Sequence, residues 1–507
     1  MIMSLFSSRP DHPLADPKEL KRVIAEIPVD NTFKAVDEIS GWLESLGNAD
    51  GFRVDLLFDV VRQLDDAAQP HLKRLARDYL TSPRLSRAEE KKLWAVSFGY
   101  WGFLAHLGQR CLAKAGDKDK GAEALKPVLP LLAARTVAAL AQQIKWVEFR
   151  YGPVGHELWQ QIGQAYLQAE SLKVAHKPLQ LYPNQPGATT VGGEYLHALV
   201  FHASSMDSLM PLEIELADRF IAHFLPGFEF GSEAKHNSVY WVDAAQPMAP
   251  MRMAKIPAAV TPTLRFFSPG AVPKALDELM HVVERGEVPG ELNLGGQYLP
   301  KTLLPVLRHL ALYWAPQPPL REHQRHNVKT RLSVLRGFDD SFTVFAGDVA
   351  RTGKERTAES WVVENVSLGG FGAAIEGVEG DWLKVGSLLS MQPEGGDNWV
   401  LGVVRRFSKE SERQASVGIQ TLARQALSID LRPRASTYAV GNNIPGIRLH
   451  EDRSPGEVKM VLPIASFDLR ESLEYSHGGK RYLLTPIELL ESGADYEIAR
   501  YRELVEG

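Results

Sequence analysis

The sequence has a single cysteine, Cys111, among its 507 residues. One cysteine excludes an intrachain disulfide, and it also excludes a zinc site built from several thiolates. Cys111 lies in an apolar segment with helical spacing and has no evident catalytic neighbours, so we expect a buried thiol. Any site in this protein must be built from other side chains.

Long apolar runs are also lacking. Residues 1–6 are followed at once by Ser-Ser-Arg-Pro-Asp, so the sustained apolar core of a secretory signal is missing. The most apolar long segment, residues 128–140, is interrupted by Pro130 and Arg135 and is too short to cross a bilayer. We therefore expect a cytoplasmic protein without a membrane span.

An excess of positive charge is missing as well. The chain has 57 lysines and arginines against 62 acidic residues, for a formal net charge of −5. A protein of this balance has no broad basic field that could release counterions from a nucleic-acid polymer, which argues against that class of partner. A small anionic ligand, in contrast, needs no more than a local cluster of arginines.

Motifs typical of enzymes do not occur in a usable form. Gly347–Lys354 has the glycines of a nucleotide-binding phosphate loop, but it is one residue too long and Glu355 replaces the required Ser or Thr. Residues 370–372 (Gly-Phe-Gly) lie between strand-like segments, whereas a dinucleotide fingerprint precedes a helix. A Gly-x-Ser-x-Gly elbow is absent. The sequence predicts a protein that is not an enzyme.

Helical histidines raise the alternative of a metal site. Glu194 and His197 have a spacing that puts them on one helix face, but His197 and His202 are five residues apart and diverge. His223 and His236 lie farther along the chain. Solvated or core histidines are the expected state, and we predict neither a metal nor a cofactor.

The length and the pattern of elements predict a multidomain α+β protein. We expect an α-helical region over residues 1–225, with solenoid-like stacking as one alternative. A mixed α/β connector and hinge follows over 226–320. Two β-rich regions complete the chain, 321–425 and 426–507. The second of these has two alternatives, a further small barrel or an extension of the first.

One segment of the helical region resembles a tetratricopeptide repeat. Residues with the sizes typical of the repeat occur at the matching positions, namely Trp159, Ile162, Gly163, Tyr166, Ala175 and Leu179. A second copy at the repeat period is absent, so an unrelated pair of helices remains the alternative. Both alternatives predict a surface or scaffold for a protein partner.

Two polar motifs stand out in the third region. Arg321 and Arg325 are four residues apart and follow the proline-rich segment 315–320. Farther on, strand-like segments flank a run that contains Asn365, Ser367, Gly369 and Gly370. Arginine can pair with a phosphate or with the O6/N7 edge of guanine, and its planar face stacks on a base. Asn and Ser add short hydrogen bonds, and glycine lets the backbone turn or approach a ligand.

Together these motifs resemble the two-part signature of PilZ domains, a family of small β-barrels that bind the bacterial second messenger cyclic di-GMP. The strand-like segments 399–406 and 415–420 resemble the last two strands of such a barrel. The resemblance implies a PilZ-like antiparallel β-barrel over 321–425. It also implies that six residues hold cyclic di-GMP: Arg321, Arg325, Asn365, Ser367, Gly369 and Gly370.

The segment between the two motifs is longer than the family pattern. We expect Gly337–Glu359 to form an extended β-hairpin or an inserted loop, which costs little because closure entropy rises slowly with loop length. The extra length leaves the register of the arginines open, and Arg331 is a rival for one of the two positions. In the preferred register, Arg331 lies within the first strand.

The resemblance implies an effector that couples cyclic di-GMP binding at the barrel to a helical protein-interaction region. We expect the ligand to order the hinge, and the change to alter how the helical region engages its partner. The alternative is a constitutive interaction scaffold whose barrel is degenerate and binds no ligand. The sequence of the last region contains no second copy of the signature.

Overall fold

The computed structural model of the chain describes residues 10–82, 85–185, 187–255, 257–317, 324–346, 358–377, 382–411, 413–434, 443–450 and 456–506. Contacts divide the chain into two compact units. The first comprises Met1–Arg150, Val154–Met206 and Pro211–Pro319, and the second comprises Tyr151–Pro153, Asp207–Met210 and Leu320–Gly507.

The first unit begins with helices, as the apolar spacing predicts. Asp16 caps the first of them by accepting a hydrogen bond from the Lys18 amide, and Ser86 and Glu89 form a reciprocal capping box at the fourth. The helices are α1 (Pro17–Glu26), α2 (Thr32–Gly47), α3 (Val54–Thr81), α4 (Arg87–Gly116), α5 (Ala122–Leu125), α6 (Leu129–Glu148), α7 (His156–Ser171), α8 (Val191–Ala203) and α9 (Pro211–Phe224).

Helix α6 is the buried centre of this unit. Arg135 on α6 is 4% exposed and binds Asp65 and Asp66 of α3 at 3.0 and 2.7 Å. Residues 122–148 are long and apolar enough to cross a membrane by length and composition, but 61% of the most apolar window is buried within the protein. Because α6 packs against other helices and holds a buried ion pair, it has the features of a core helix.

A small sheet and two further helices complete the first unit. The strands β1 (Glu229–Gly231), β2 (Tyr240–Asp243), β3 (Met251–Arg252) and β4 (Leu264–Ser268) pair in the order β1-β4-β2-β3. Helices α10 (Val272–Glu284) and α11 (Pro300–Trp314) follow. The mixed α/β character predicted for the connector is confirmed, including strands near residues 239–242 and 264–267.

The tetratricopeptide pattern is divided between a helix and a loop. Trp159, Ile162, Gly163 and Tyr166 are buried on α7, as the repeat would require. Ala175 and Leu179 lie outside the helices, and Leu179 forms an isolated bridge with Thr189. A loop occupies the positions where a tetratricopeptide repeat has its second helix. Ala175 and Leu179 therefore do not complete a tetratricopeptide hairpin.

The predicted β-barrel occupies the start of the second unit. Its strands are β5 (His326–Arg336), β6 (Glu359–Ser367), β7 (Gly370–Glu376), β8 (Leu388–Pro393), β9 (Val400–Lys409) and β10 (Gln414–Ala423). Each strand pairs with its neighbours in antiparallel orientation. The barrel closes in the order β5-β6-β7-β10-β9-β8, and β8 pairs with β5. The strands expected near 399–406 and 415–420 are confirmed as β9 and β10.

The segment after β5 corrects one expectation. Where we expected an extended hairpin or an inserted loop, residues Gly337–Phe345 form a helix, α12. Phe338, Phe342 and Phe345 recur at helical spacing and pack into one apolar cluster. Tertiary burial of this phenylalanine face stabilises a helix that is too short to be stable by itself.

The C-terminal region forms a second closed barrel, which was one of the two predicted alternatives. Its strands are β11 (Ala426–Pro433), β12 (Ile444–Leu449), β13 (Glu457–Pro463), β14 (Leu473–His477), β15 (Lys480–Ser492) and β16 (Tyr496–Glu506). They close in the order β11-β12-β13-β16-β15-β14. Counted from the first strand of each barrel, this order is identical to that of the first barrel.

The two barrels share part of their hydrophobic core. One buried cluster contains Leu388, Leu401 and Val403 of the first barrel together with Ile447 and Val461 of the second. Asp495, in the turn before β16, accepts hydrogen bonds from the backbone amides of Phe338 and Leu388. The barrels are therefore parts of one packed body, joined by apolar burial and by backbone hydrogen bonds.

Candidate ligand-binding site

Strand register brings the two sequence motifs to the same end of the first barrel. His326 pairs with Val366, and Asn327 pairs with Asn365. Continuing this pairing by one residue brings Arg325, which is exposed, opposite Ser367. The chain that carries the arginines therefore enters the barrel alongside the Asn-Ser segment. Arg321 lies outside the described residues.

A β-bulge determines which way Asn365 faces. Trp361 and Val363 on β6 are buried in the barrel, so simple alternation would turn residue 365 inward as well. Val363 pairs with Ala373 and Asn365 pairs with Gly372, which makes Glu364 an extra residue in β6. Because of that extra residue, the Asn365 amide lies on the outer face of the barrel.

The hairpin between β6 and β7 holds the other predicted residues. Ser367 pairs with Gly370 across the two-residue loop Leu368-Gly369, and the Gly369 carbonyl accepts a hydrogen bond of 2.9 Å from the Thr421 amide. A Cβ at position 370 would lie 1.9 Å from the carbonyl oxygen of Ile419. Gly370 is therefore required for close pairing of this hairpin with β10.

A second glycine makes room for the asparagine. A Cβ at Gly372 would lie 2.6 Å from Oδ1 of Asn365 and 2.7 Å from its Nδ2. The amide thus rests directly on the Gly372 backbone, and a larger residue would push it away. Sequence reasoning missed Gly372, although the alternation of glycines at 370 and 372 is a visible signal.

Neighbouring strands add two side chains that sequence reasoning also missed. On β10, the buried Ala415, Val417 and Ile419 alternate with outward residues, and Gly418 pairs with both Gly372 and Arg406. The row that starts at Asn365 therefore continues across two glycines to an arginine. Gln420 pairs with Gly370 and stands beside the hairpin. Gly372 and Gly418 thus form a shallow surface, the glycine floor, with Asn365 on one side and Arg406 on the other.

The rival arginine lies farther from the hairpin. Arg331 pairs with Val362 on β6, and its Nη1 donates a hydrogen bond of 3.1 Å to Ser360 Oγ. Val362 precedes Asn365 by three residues, which is about 10 Å along a strand. Arg331 lies within the first strand, as the preferred register predicted.

Hydrogen bonds connect Gln420 to the second barrel. Nε of Arg405 donates to Gln420, and its two terminal nitrogens donate to Glu491 on β15 at 2.7 and 2.6 Å. Glu491 also accepts a hydrogen bond from the Tyr496 hydroxyl. Burial raises the pKa of Glu491, but these donors outweigh it, so the pKa lies below its ordinary value. Glu491 therefore remains ionised and holds Arg405 in place.

The arrangement has the chemical groups of a binding site. It provides arginine, amide and hydroxyl groups over a glycine floor, which suits an anion that carries hydrogen-bonding bases. In the part of the chain that the structure describes, no group of three His, Cys, Asp or Glu side chains could hold a metal ion.

Two family models match the chain. Residues 18–234 match the N-terminal domain of the cyclic-di-GMP receptor FimW, and residues 349–427 match the middle PilZ domain of the same receptor. The two matches together cover more than half of the chain. With the barrel and its hairpin, they establish that the chain belongs to the family of PilZ-domain cyclic-di-GMP receptors. This family is one of receptors and effectors, and no catalytic family is indicated.

The second match covers part of the candidate site. It includes Asn365, Ser367, Gly369 and Gly370 but begins after the arginines and β5. Strand β5 nevertheless closes the barrel by pairing with both β6 and β8. Comparison with curated proteins found no match, and comparison with solved structures found none either.

Proposed function

We propose that this chain is a cytoplasmic effector that binds cyclic di-GMP on the outer face of the first barrel. Arg321 and Arg325 contact phosphate and guanine from the segment before β5. Asn365 and Ser367 bond to one guanine and its phosphate, and Gly369 and Gly370 form the turn beneath them. The observation that supports the proposal is the register of β5 and β6, in which His326 pairs with Val366, so that Arg325 precedes β5 at the end of the barrel where Ser367 lies.

Binding acts as a switch in this proposal. Contacts between the ligand and the arginines fix the hinge, and the fixed hinge changes how the helical region engages a protein partner. A ligand can shift such an equilibrium only by its difference in affinity for the two states. In sequence, the arginines lie between the end of the first unit at Pro319 and the start of β5 at His326. This position supports the coupling.

Titration of the purified chain with cyclic di-GMP and with cyclic di-AMP, followed by calorimetry, tests the binding site. Guanine presents two acceptors, O6 and N7, to an arginine fork, whereas adenine presents a donor in place of O6. We expect cyclic di-GMP to bind at least about fivefold more tightly, since a bidentate base contact contributes about 1–3 kcal/mol of discrimination. Equal affinities would refute guanine reading.

Hydrogen exchange tests the switch. Saturating cyclic di-GMP should slow amide exchange over residues 316–328, because ordered arginines restrict this segment. The control is residues 457–463 of the second barrel, where we expect no change. If binding is measured but exchange over 316–328 does not change, the barrel binds the ligand without the proposed switch.

A second candidate function is a constitutive scaffold with a barrel that binds no ligand. The observation that favours it is the extent of the PilZ match, which begins at residue 349 and leaves out both arginines. Here the helical region engages its partner without control by a nucleotide. The same titration decides between the two, because the scaffold predicts no heat of binding for either dinucleotide.

A further inference from the structure

The second barrel contains a cavity of about 330 Å³ beside its first and fourth strands. In the described part of the chain, β11 and β14 pair through Arg432–Glu474 and Pro433–Leu473, near one end of each strand. The opposite ends of the two strands line the cavity, with Ala426 and Leu427 from β11 and Tyr475 and His477 from β14. The lining residues are Gln425, Ala426, Leu427, Arg448, His450, Tyr475, His477 and Tyr482. Its volume is in the range of small-molecule sites, about 300–1,000 Å³.

A hydrogen-bonded cluster stiffens one wall of the cavity. Arg448 donates from Nε and Nη2 to the two oxygens of Glu503, both at 3.0 Å, and the Tyr475 hydroxyl donates to Glu503 at 2.6 Å. Glu503 is thereby fully paired and its charge is compensated. These contacts use two of the three Arg448 nitrogens, and within the described part of the chain Nη1 has no hydrogen-bond partner.

The rest of the lining combines donors with an aromatic surface. His450, His477 and the Gln425 amide can each donate an N–H group, and none of the described lining residues is acidic. The rings of Tyr475 and Tyr482 stack with centroids 4.7 Å apart and planes 8° apart. Tyr475 is buried and Tyr482 is half-buried, so the Tyr482 ring is the more accessible of the two.

We propose that this cavity binds a small anion that carries a planar ring, of the size of a nucleoside monophosphate. The N–H groups of Arg448, His450 and His477 hold the phosphate, and the ring extends the stack of Tyr475 and Tyr482. Charge-assisted hydrogen bonds to phosphate and stacking of a base on tyrosine are the two interactions that this lining provides. The proposal does not depend on ligand binding by the first barrel.

The shared strand order shows that this cavity is a separate site. In each barrel, the residue before the first strand lies beside the end of the second, and here the His450 amide bonds to the Gln425 carbonyl at 3.1 Å. The candidate site of the first barrel lies between its second and third strands. The cavity lies between the first and fourth strands of the second barrel, on the other side of the same end.

Calorimetry of the full chain with adenosine monophosphate tests the proposal. Adenosine and inorganic phosphate are titrated separately as the two halves of the probe. We expect each half to bind at least about fivefold more weakly than the whole, since stacking of one base contributes about 1–3 kcal/mol. Adenine is chosen because a guanine-reading site on the first barrel disfavours it. The background variant Asn365→Ala/Ser367→Ala should bind the probe as the parent does.

Variants of the lining identify the cavity as the site. His450→Gln/His477→Gln and Tyr482→Leu should each weaken binding about tenfold, because they remove donors or the stacking ring. Arg448 is left unchanged, since its loss would remove the cation that pairs with the half-buried Glu503. His281→Gln, on the exposed surface of α10, is the matched control. Melting temperatures show whether each variant is folded.

Three results would overturn the proposal. The first is no binding of adenosine monophosphate at millimolar concentration. The second is binding that the Asn365/Ser367 background abolishes and the histidine variant leaves intact. The third is equal affinity for inorganic phosphate and for the whole probe, which would remove the role of the ring.

Discussion

The two barrels have one strand order and different surfaces. In the first, the hairpin between the second and third strands carries Asn365, Ser367 and two glycines, and an extra residue in β6 turns the asparagine outward. In the second barrel, the described ends of the corresponding strands, β12 and β13, carry no such motif. The two barrels therefore share a strand order, and a single bulge and a few glycines distinguish the proposed ligand-binding face of the first.

A second difference concerns burial. Some apolar side chains of the second barrel form its own core, such as Leu431 and Met460. Others, such as Ile447 and Val461, pack with Leu388 and Leu401 of the first barrel. The second barrel therefore supports the first one while keeping a core of its own.

The largest expected effect tests this shared core. Ile447→Ala, at a fully buried site, should lower the free energy of unfolding by about 2–5 kcal/mol through lost burial and a cavity. Hydrogen exchange should become faster in β8 and β9 as well as in β12 and β13. Leu431→Ala is the matched control, and there exchange should become faster in the second barrel alone. Unchanged exchange in β8 and β9 of the Ile447 variant would mean that the barrels are independently stable.

The next effect concerns Arg321 and Arg325, which precede the first strand of the first barrel in sequence. Arg325→Ala should cost about 2–4 kcal/mol of cyclic di-GMP binding, because a charge-assisted contact in a partly desolvated site is lost. Arg321→Ala should cost a similar amount. Arg331→Ala is the control and should cost little, since it lies about 10 Å along the strand from Asn365. All three should melt near the parent temperature.

The opposite pattern of losses among the arginine variants would require a different assignment of the binding site. If Arg331→Ala abolishes binding measured by calorimetry while Arg321→Ala leaves it intact, the assignment of the arginine pair is wrong. The site would then be built around Arg325 and Arg331, farther along β5 from the hairpin.

A smaller effect tests the glycine floor. Gly372→Ala should weaken cyclic di-GMP binding about tenfold, because the new methyl group displaces the Asn365 amide and removes its hydrogen bonds to the ligand. Ala374→Ser adds one atom at the next outward position of β7 and should leave the affinity unchanged. Calorimetry measures the cyclic di-GMP affinity of both variants. Equal losses of affinity would show that the position of the Asn365 amide has no special role in binding.

The smallest effect concerns the acid response of the second barrel. Burial raises the pKa of Glu503, but hydrogen bonds from Arg448 and Tyr475 outweigh it and hold the pKa below its ordinary value of 4.5. The stabilisation by these contacts is therefore fully present above pH 4.5 and is lost as the pH falls through the lower folded-state pKa. Glu503→Gln should make the free energy of unfolding less dependent on pH below 4.5.

Denaturant unfolding between pH 5 and pH 3 provides the measurement. Glu474→Gln, on β14 and outside this hydrogen-bonded cluster, is the control and should retain the slope of the parent. A parental slope in the Glu503 variant would show that other carboxylates control the acid response.

Local patterns predicted much of this molecule. Alternation of buried and exposed residues identified most barrel strands, and the Asn-x-Ser-x-Gly-Gly run located the hairpin because its turn chemistry is local. Capping residues and apolar spacing are likewise local signals of helices such as α2, which ends at Gly47. These features depend on neighbours within a few residues.

Features that depend on distant partners were not predicted. Helix α12 contains Asp, Gly and Thr, which do not favour a helix. It is stabilised because both barrels bury its phenylalanine face. The bulge at Glu364 is visible only in the pairing of β6 with β7. Ala175 and Leu179 matched a repeat by size, but a loop occupies those positions. Closure of the second barrel requires long-range pairs such as β13 with β16, which local sequence does not encode.

The shared cluster has a practical consequence for fragments of this protein. The PilZ match ends at residue 427, which is a natural place to cut when the domain is expressed separately. A fragment that ends there would expose Leu388, Leu401 and Val403 to water, because Ile447 and Val461 cover them in the whole chain. Such a fragment should aggregate or bind hydrophobic dyes, and the minimal soluble piece of this receptor should extend to the end of β16.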